Sequence, residues 1–193
     1  YTNMSPVMSK FLWNAPEEQA DPEKAKQILE EKKLLPMEFT LKVPNSSKFY
    51  LDTAQSIREQ LKDIGITVNL EMIEWATWLS DVYTNKKYVA SLAGLSGKME
   101  PDAILRRYTS TYPKNFTNFN NARYDVLVEE AKRTSNEEKQ IENYKEAQKI
   151  LSEEQAAIFL MDPNIIIATE KGIEGFEFYP LPYLNFAKLY FKK

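Results

Sequence analysis

Hydrophobic and polar positions alternate from Met37 to Val43: Met37, Phe39, Leu41 and Val43 are interleaved with Glu38, Thr40 and Lys42. That period of two predicts a strand with one buried face. Pro44-Asn45-Ser46-Ser47 breaks it, and the period then changes. Tyr50, Ala54, Ile57, Leu61 and Ile64 fall on one face of a helix, and Gly65 suits the left-handed position just past its end. Ile66, Val68, Leu70 and Met72 alternate again, which completes a strand–helix–strand unit with parallel strands. Upstream, residues 1–20 read as loop. Asp21-Pro22-Glu23 then opens a helix with an Asp cap and Pro at its first position, and Ala25, Ile28 and Leu29 form its buried stripe. That helix should stop before Pro36.

Downstream, Trp75, Trp78, Leu79 and Val82 have helical spacing. The run from Tyr88 to Leu95 is apolar or small on both faces, which predicts a central strand covered on both sides. Pro101 to Tyr108 reads as a short helix and Asn115 to Asn121 as loop. Tyr124, Leu127, Val128 and Ala131 start an amphipathic helix. Ser135-Asn136-Glu137-Glu138 reads as a capping box opening a long helix with Ile141, Tyr144, Ala147 and Leu151 inside. After about residue 155 the pattern shifts to short β-like segments at Ala156–Met161, Ile165–Thr169, Gly175–Tyr179 and Phe186–Phe191. A change from alternating α/β to all β predicts that this tail belongs to a different sheet.

Composition narrows the chemistry. The 193 residues contain no Cys and no His, and 25 basic against 28 acidic side chains give a net charge of −3. Disulfides, thiolate nucleophiles, Ser-His-Asp machinery and ordinary zinc sites are thereby excluded. No Asp-x-Asp-x-Asp loop suggests a calcium site, and no cofactor motif appears. The charges are interspersed rather than gathered in a basic stripe, which argues against nucleic acid. Apolar runs such as Ile165–Ile167 are far shorter than a membrane span. Tyr1 to Asn14 lacks the pattern of a signal peptide, and the irregular opening suggests a fragment boundary.

Several strings resemble family 5 extracellular solute-binding proteins, the oligopeptide, dipeptide and nickel receptors of ABC importers. Residues 21–29, Asp-Pro-Glu-Lys-Ala-Lys-Gln-Ile-Leu, are similar to the family's D-P-E-K-A-K-x-L-L helix. Residues 54–66, from Ala54 to Ile66, resemble A-Q-x-I-Q-x-Q-L-x-x-I-G-I. Trp75 to Leu79 resembles the turn after the second strand, and Tyr124-Asp125-Val126-Leu127 resembles Y-D-x-L. Tyr144 to Leu151 is similar to Y-x-x-A-Q-x-I-L, and Lys171 to Phe176 to K-x-V-x-G-F. Six strings in order across nearly the whole chain imply an α/β fold: a periplasmic-binding-protein-like lobe of type II with a βαβ unit. The C-terminal β segments would return to another lobe. Residues 1–157 would then be the later part of the second lobe, and 158–193 the return segment. The resemblance implies a longer complete protein, extracytoplasmic and either periplasmic or lipid-anchored. It would bind a peptide or similar small solute between its lobes, deliver it to a membrane permease and perform no catalysis.

Ligands of open α/β sheets bind beyond the carboxyl ends of the strands. That places Gly94-Leu95-Ser96-Gly97-Lys98 at the candidate site, where small residues let backbone amides approach a ligand. Family peptide binders read G-W-x-x-D-x-x-D-P here, and the first Asp pairs with the peptide's amino group. This chain has Leu95 for the Trp, is one residue shorter, and carries Lys98 where the Asp would be. A partly desolvated ion pair with an ammonium contributes roughly 2–5 kcal/mol. Lys98 would repel that ammonium and favour an anionic group such as a peptide carboxyl terminus, although it reads equally as a solvated loop lysine. Trp75 matches a family position near the ligand and reads alternatively as a core residue. Asn45 either faces the cleft or shapes a turn. The Tyr112, Phe116 and Phe119 cluster either lines a cleft or pins its own loop. Two other functions stand beside the receptor reading. One is a hydrolase using paired carboxylates, for which no motif fixes a pair. The other is an interaction module in which exposed tail strands pair with another chain, including a second copy.

Overall fold

The computed structural model describes residues 2–16, 20–163, 166–179 and 184–192. The chain divides into two compact units, residues 16–95 and residues 1–15 with 96–193.

In the unit of residues 16–95, α1 spans Pro22–Glu31, and the Asp21 carboxylate accepts from the Lys24 N–H at 2.9 Å. Strand β1 (Met37–Pro44), helix α2 (Lys48–Asp63) and strand β2 (Ile66–Ile73) form the βαβ unit. The two strands run parallel in register from Met37 opposite Ile66 to Pro44 opposite Ile73. Ser47 caps α2, and Gly65, at φ 88°, turns the chain from α2 into β2. The alternating positions do what their period demands up to Leu70; at the end of β2 the phase shifts, with Met72 exposed and Ile73 buried. Leu41, Val43, Ile66 and Val68 are buried with Ala54 of α2, and Leu29, Leu35, Leu61 and Ile64 pack around them. Helix α3 (Trp75–Trp78) continues as a π-helical turn over Leu79–Thr84, burying Trp78 and Val82.

One expectation fails here. The segment 88–95 is not a central strand: β3 comprises only Ala90–Ser91, the sheet order is β2-β1-β3, and β1 is the middle strand. Val89 is 78% exposed, so the segment is not covered on both faces. Beyond Ala90–Ser91, the segment is tied by the Leu92 N–H to the Lys42 carbonyl and by the Gly94 N–H to the Tyr50 hydroxyl.

The unit of residues 1–15 and 96–193 is built on α4 (Pro101–Leu105), α5 (Ala122–Arg133) and α6 (Glu137–Glu153). Leu105, Tyr108, Tyr124, Val128, Tyr144, Ala147 and Leu151 form its core. The N-terminal segment joins that core, contrary to a plain loop reading. Met4 is buried, Pro6–Met8 makes a 3-10 turn, and Met8, Phe11 and Leu12 pack on the helices. The buried Gln148 amide fastens this segment, donating to the Phe11 carbonyl at 2.7 Å and accepting from the Trp13 N–H at 3.2 Å. The α6 cap is Asn136 rather than Ser135: its side chain accepts from the Lys139 N–H at 3.0 Å.

The tail also differs from expectation. Ala156–Met161 and Gly175–Tyr179 form no strands; β4 (Ile173–Glu174) pairs antiparallel with β5 (Tyr190–Phe191) instead. The Ile165–Thr169 segment begins outside the described residues; Ile166–Thr169 has no strand. Alternation supplies a face, but a strand also needs a partner backbone. Ile166 is 92% exposed and Phe191 67%. The small tail sheet is separate from the three-stranded sheet.

Candidate functional site

The carboxyl ends of β1, β2 and β3 lie side by side in the parallel sheet, and the chain leaves each in a short loop. Asn45 follows β1. Its N–H donates to the Ile73 carbonyl at 2.9 Å, and its side-chain amide donates to Glu74 Oε1 at 2.7 Å. These bonds lock the exit of β1 to the exit of β2, so Asn45 does more than shape a turn.

Glu74 precedes α3 and hands the chain to Trp75. Trp75 and Trp78 stack with ring centroids 5.0 Å apart and an interplanar angle of 2°. Trp78 is 2% exposed and Trp75 42%. Trp78 is therefore a core residue, while Trp75 is not buried as the core reading would have it: it rests one face on Trp78 and keeps surface available. Trp78 Nε1 donates to Ser91 Oγ at 2.9 Å, and that hydroxyl donates to the Lys42 carbonyl at 2.9 Å. The chain of bonds ties α3, β3 and β1 beneath the exposed indole. Lys42 also pairs with Asp81 at 3.1 Å, and this bond holds the Asp81 carboxyl below its usual range.

Beyond β3, the Leu92 N–H donates to the Lys42 carbonyl at 3.1 Å and the Gly94 N–H to Tyr50 Oη at 3.1 Å. Leu95 is exposed at the end of this unit. The next residues, Ser96, Gly97 and Lys98, belong to the other unit and are all exposed. The Ser96 carbonyl accepts from Arg107 Nη2 at 3.3 Å. Open space surrounds Gly97, so no neighbour requires glycine there.

The Tyr112, Phe116 and Phe119 loop resolves toward self-pinning. Phe119 packs edge-on against the buried Tyr124 at 5.4 Å, and Arg106 lies 5.8 Å from the Tyr112 ring. The Asn115 amide, buried, donates to the carbonyls of Tyr108, Thr109 and Phe119. Asp125 holds the same region, accepting from the N–H and the hydroxyl of Ser110. Two open grooves of about 730 and 880 Å³ lie on this unit; Tyr112 lines the second beside Asp125, and neither contains a strand-end candidate. Their rims hold ion-paired side chains such as Arg123 with Glu146 and Lys139 with Glu130, so the strand ends remain the better site. Among the described residues no group of three or more acidic side chains converges as a metal site.

Residues 1–116 match the model of bacterial extracellular solute-binding proteins, family 5, middle region. The chain belongs to this family. The family 5 chain is 30% identical over 145 residues to the oligopeptide-binding protein AppA of Bacillus subtilis, covering 74% of this chain and 27% of that one. It is 28% identical over 169 residues to a dipeptide-binding protein of Pseudomonas aeruginosa, covering 83% and 32%. The solved structure of AppA with a nonapeptide superposes with a TM-score of 0.78 at 28% identity, over 94% of this chain and 40% of that one. DppA from Helicobacter pylori, in complex with the peptide STSA, gives a TM-score of 0.83 over all of this chain and 38% of that one; at 21% identity this shows the fold. The chain spans about a third of the length of these curated relatives.

Proposed function

We propose that the protein carrying this chain is the extracytoplasmic receptor of an ABC importer, which captures a peptide or similar small solute and passes it to a membrane permease. Binding, without chemical conversion, is its task. The observation that carries the reading is the exposed Trp75 ring, backed by buried Trp78 at the carboxyl end of a parallel sheet in a family 5 chain. The relatives named for oligopeptide and dipeptide binding favour a peptide ligand. Asn45, Trp75 and Leu95 are the proposed contacts from the strand ends, with Ser96, Gly97 and Lys98 following Leu95 along the chain. Lys98 suits an anionic ligand group better than a free ammonium. Periplasmic residence or lipid anchoring fits this role.

Within this reading, residues 1–157 are the later part of the second lobe and 158–193 return to the first. The exposure of Ile158, Ile166, Phe178 and Phe191 supports that division, because such side chains ordinarily find a cover. The same exposure supports the second reading, association of tail strands with another chain.

Isothermal titration of the complete protein with a tri- to pentapeptide set tests the receptor role. Peptides should bind, and Trp75→Ala should weaken them about tenfold or more with the melting temperature kept. Absence of binding to every peptide and to other small solutes would sink the proposal. Lys98→Asp should lower affinity for ligands with a free carboxylate and raise it for amidated ones. Equal effects on both would remove Lys98 from the site.

A further inference from the structure

Tyr50 sits in the first turns of α2, and its hydroxyl reaches across to the segment that leaves β3. Of the segment 88–95 only Ala90 and Ser91 pair with β1, and its last main-chain tie is Leu92 N–H to the Lys42 carbonyl. Past it, among the described residues, the tether on the Gly94 backbone is the Tyr50 hydroxyl, which accepts from the Gly94 N–H at 3.1 Å. The approach is close. A Cβ added to Gly94 would stand 2.7 Å from Tyr50 Oη but 3.5 Å from the ring carbon that bears it. A side chain at 94 would therefore have to push the hydroxyl aside, whereas the phenyl ring alone would leave room for a methyl group.

We infer that Tyr50 is a positioning residue for the ligand site: its hydroxyl fixes the Gly94–Leu95 backbone beyond the short β3 strand. This rests on the receptor role proposed above. Tyr50 acts through the backbone and need not touch the ligand. A two-residue strand at a sheet edge holds its exit weakly, so one side-chain hydrogen bond there carries weight that a longer ladder would otherwise supply.

The test uses the complete protein with Tyr50→Phe, Gly94→Ala and the double variant, titrated with the tightest-binding member of the tri- to pentapeptide set. Hydrogen–deuterium exchange of the segment 92–96 is measured in parallel. Tyr50→Phe should weaken binding about tenfold with an unchanged melting temperature, and exchange at 92–96 should quicken. Gly94→Ala should do the same by pushing the hydroxyl aside. In the double variant the methyl group meets no oxygen, so the loss should equal that of Tyr50→Phe alone. Wild-type affinity in Tyr50→Phe, unchanged exchange, or additive losses would each overturn the assignment. If the wild-type protein binds no peptide, the receptor reading falls separately. The exchange rates then still decide the tether, since quicker exchange supports it and unchanged exchange rejects it.

Discussion

Tyr124 shows how a single buried side chain is fixed by its polar atom. Its ring is fully enclosed in the helical core, and its hydroxyl donates to the Leu105 carbonyl at 2.6 Å. Tyr124→Phe keeps the ring and orphans that carbonyl, which should cost about 1–3 kcal/mol in urea denaturation. A change under a few tenths would mean that water reaches the carbonyl. Burial also pushes the Tyr108 phenol up to about 12 from its ordinary 10.0. A phenol with a raised folded-state pKa contributes stability fully below pH 10, and that stability is lost as pH rises through 12. The unfolding free energy should fall between those values, by up to about 2–3 kcal/mol for this group, and Tyr108→Phe should flatten the fall. An equal alkaline fall in the variant would rule Tyr108 out as its source. At this scale the sequence is readable where spacing is local. Helical spacing put Trp75, Trp78, Leu79 and Val82 on one stripe, of which Trp78 and Val82 are buried while Trp75 and Leu79 stay exposed. Tyr50 with Gly94, 44 positions apart, and Gln148 with Phe11, 137 apart, leave no such local trace.

The elements follow local rules wherever they carry their own stripe. Helix α2 and strands β1 and β2 were legible because one inward face repeats at the right period; α1 was legible from its Asp21 cap and Pro22, but its expected buried stripe is absent, with Ile28 41% exposed and Ala25 and Leu29 only half-buried. The cap of α6 illustrates the remaining error. Ser135 and Asn136 both suit the position, and the hydrogen bond to Lys139 N–H selects Asn136. Asn136→Ala should cost about 1 kcal/mol, while Ser135→Ala should leave the melting temperature nearly unchanged. The opposite ranking would return the cap to Ser135. The Tyr88–Leu95 run and the tail were misread for one physical reason. Small and apolar composition permits a strand, but ladder partners are set by distant backbone, and neither segment finds more than a two-residue partner among the described residues.

For the whole molecule, the decisive quantity is apolar surface left uncovered. The tail places Phe178, Phe186, Tyr190 and Phe191 in the open, and among the described residues its only ladder joins two residues to two. An isolated ladder of that size is marginal in water, and rings so exposed normally mark an interface. If residues 158–193 return to another lobe in the complete protein, those rings lose their exposure there. In the 193-residue chain alone they remain available. Two measurements then move in opposite directions. The chain alone should bind a hydrophobic dye and elute from size exclusion earlier as concentration rises. In the complete protein, amides of 173–191 should exchange slowly. Fast exchange in the complete protein together with a strictly monomeric, dye-silent chain would reject the return segment and tail-mediated association at once. Slow exchange with a monomeric chain would keep the first and discard the second, because the cover would then come from the rest of the protein and not from a second copy.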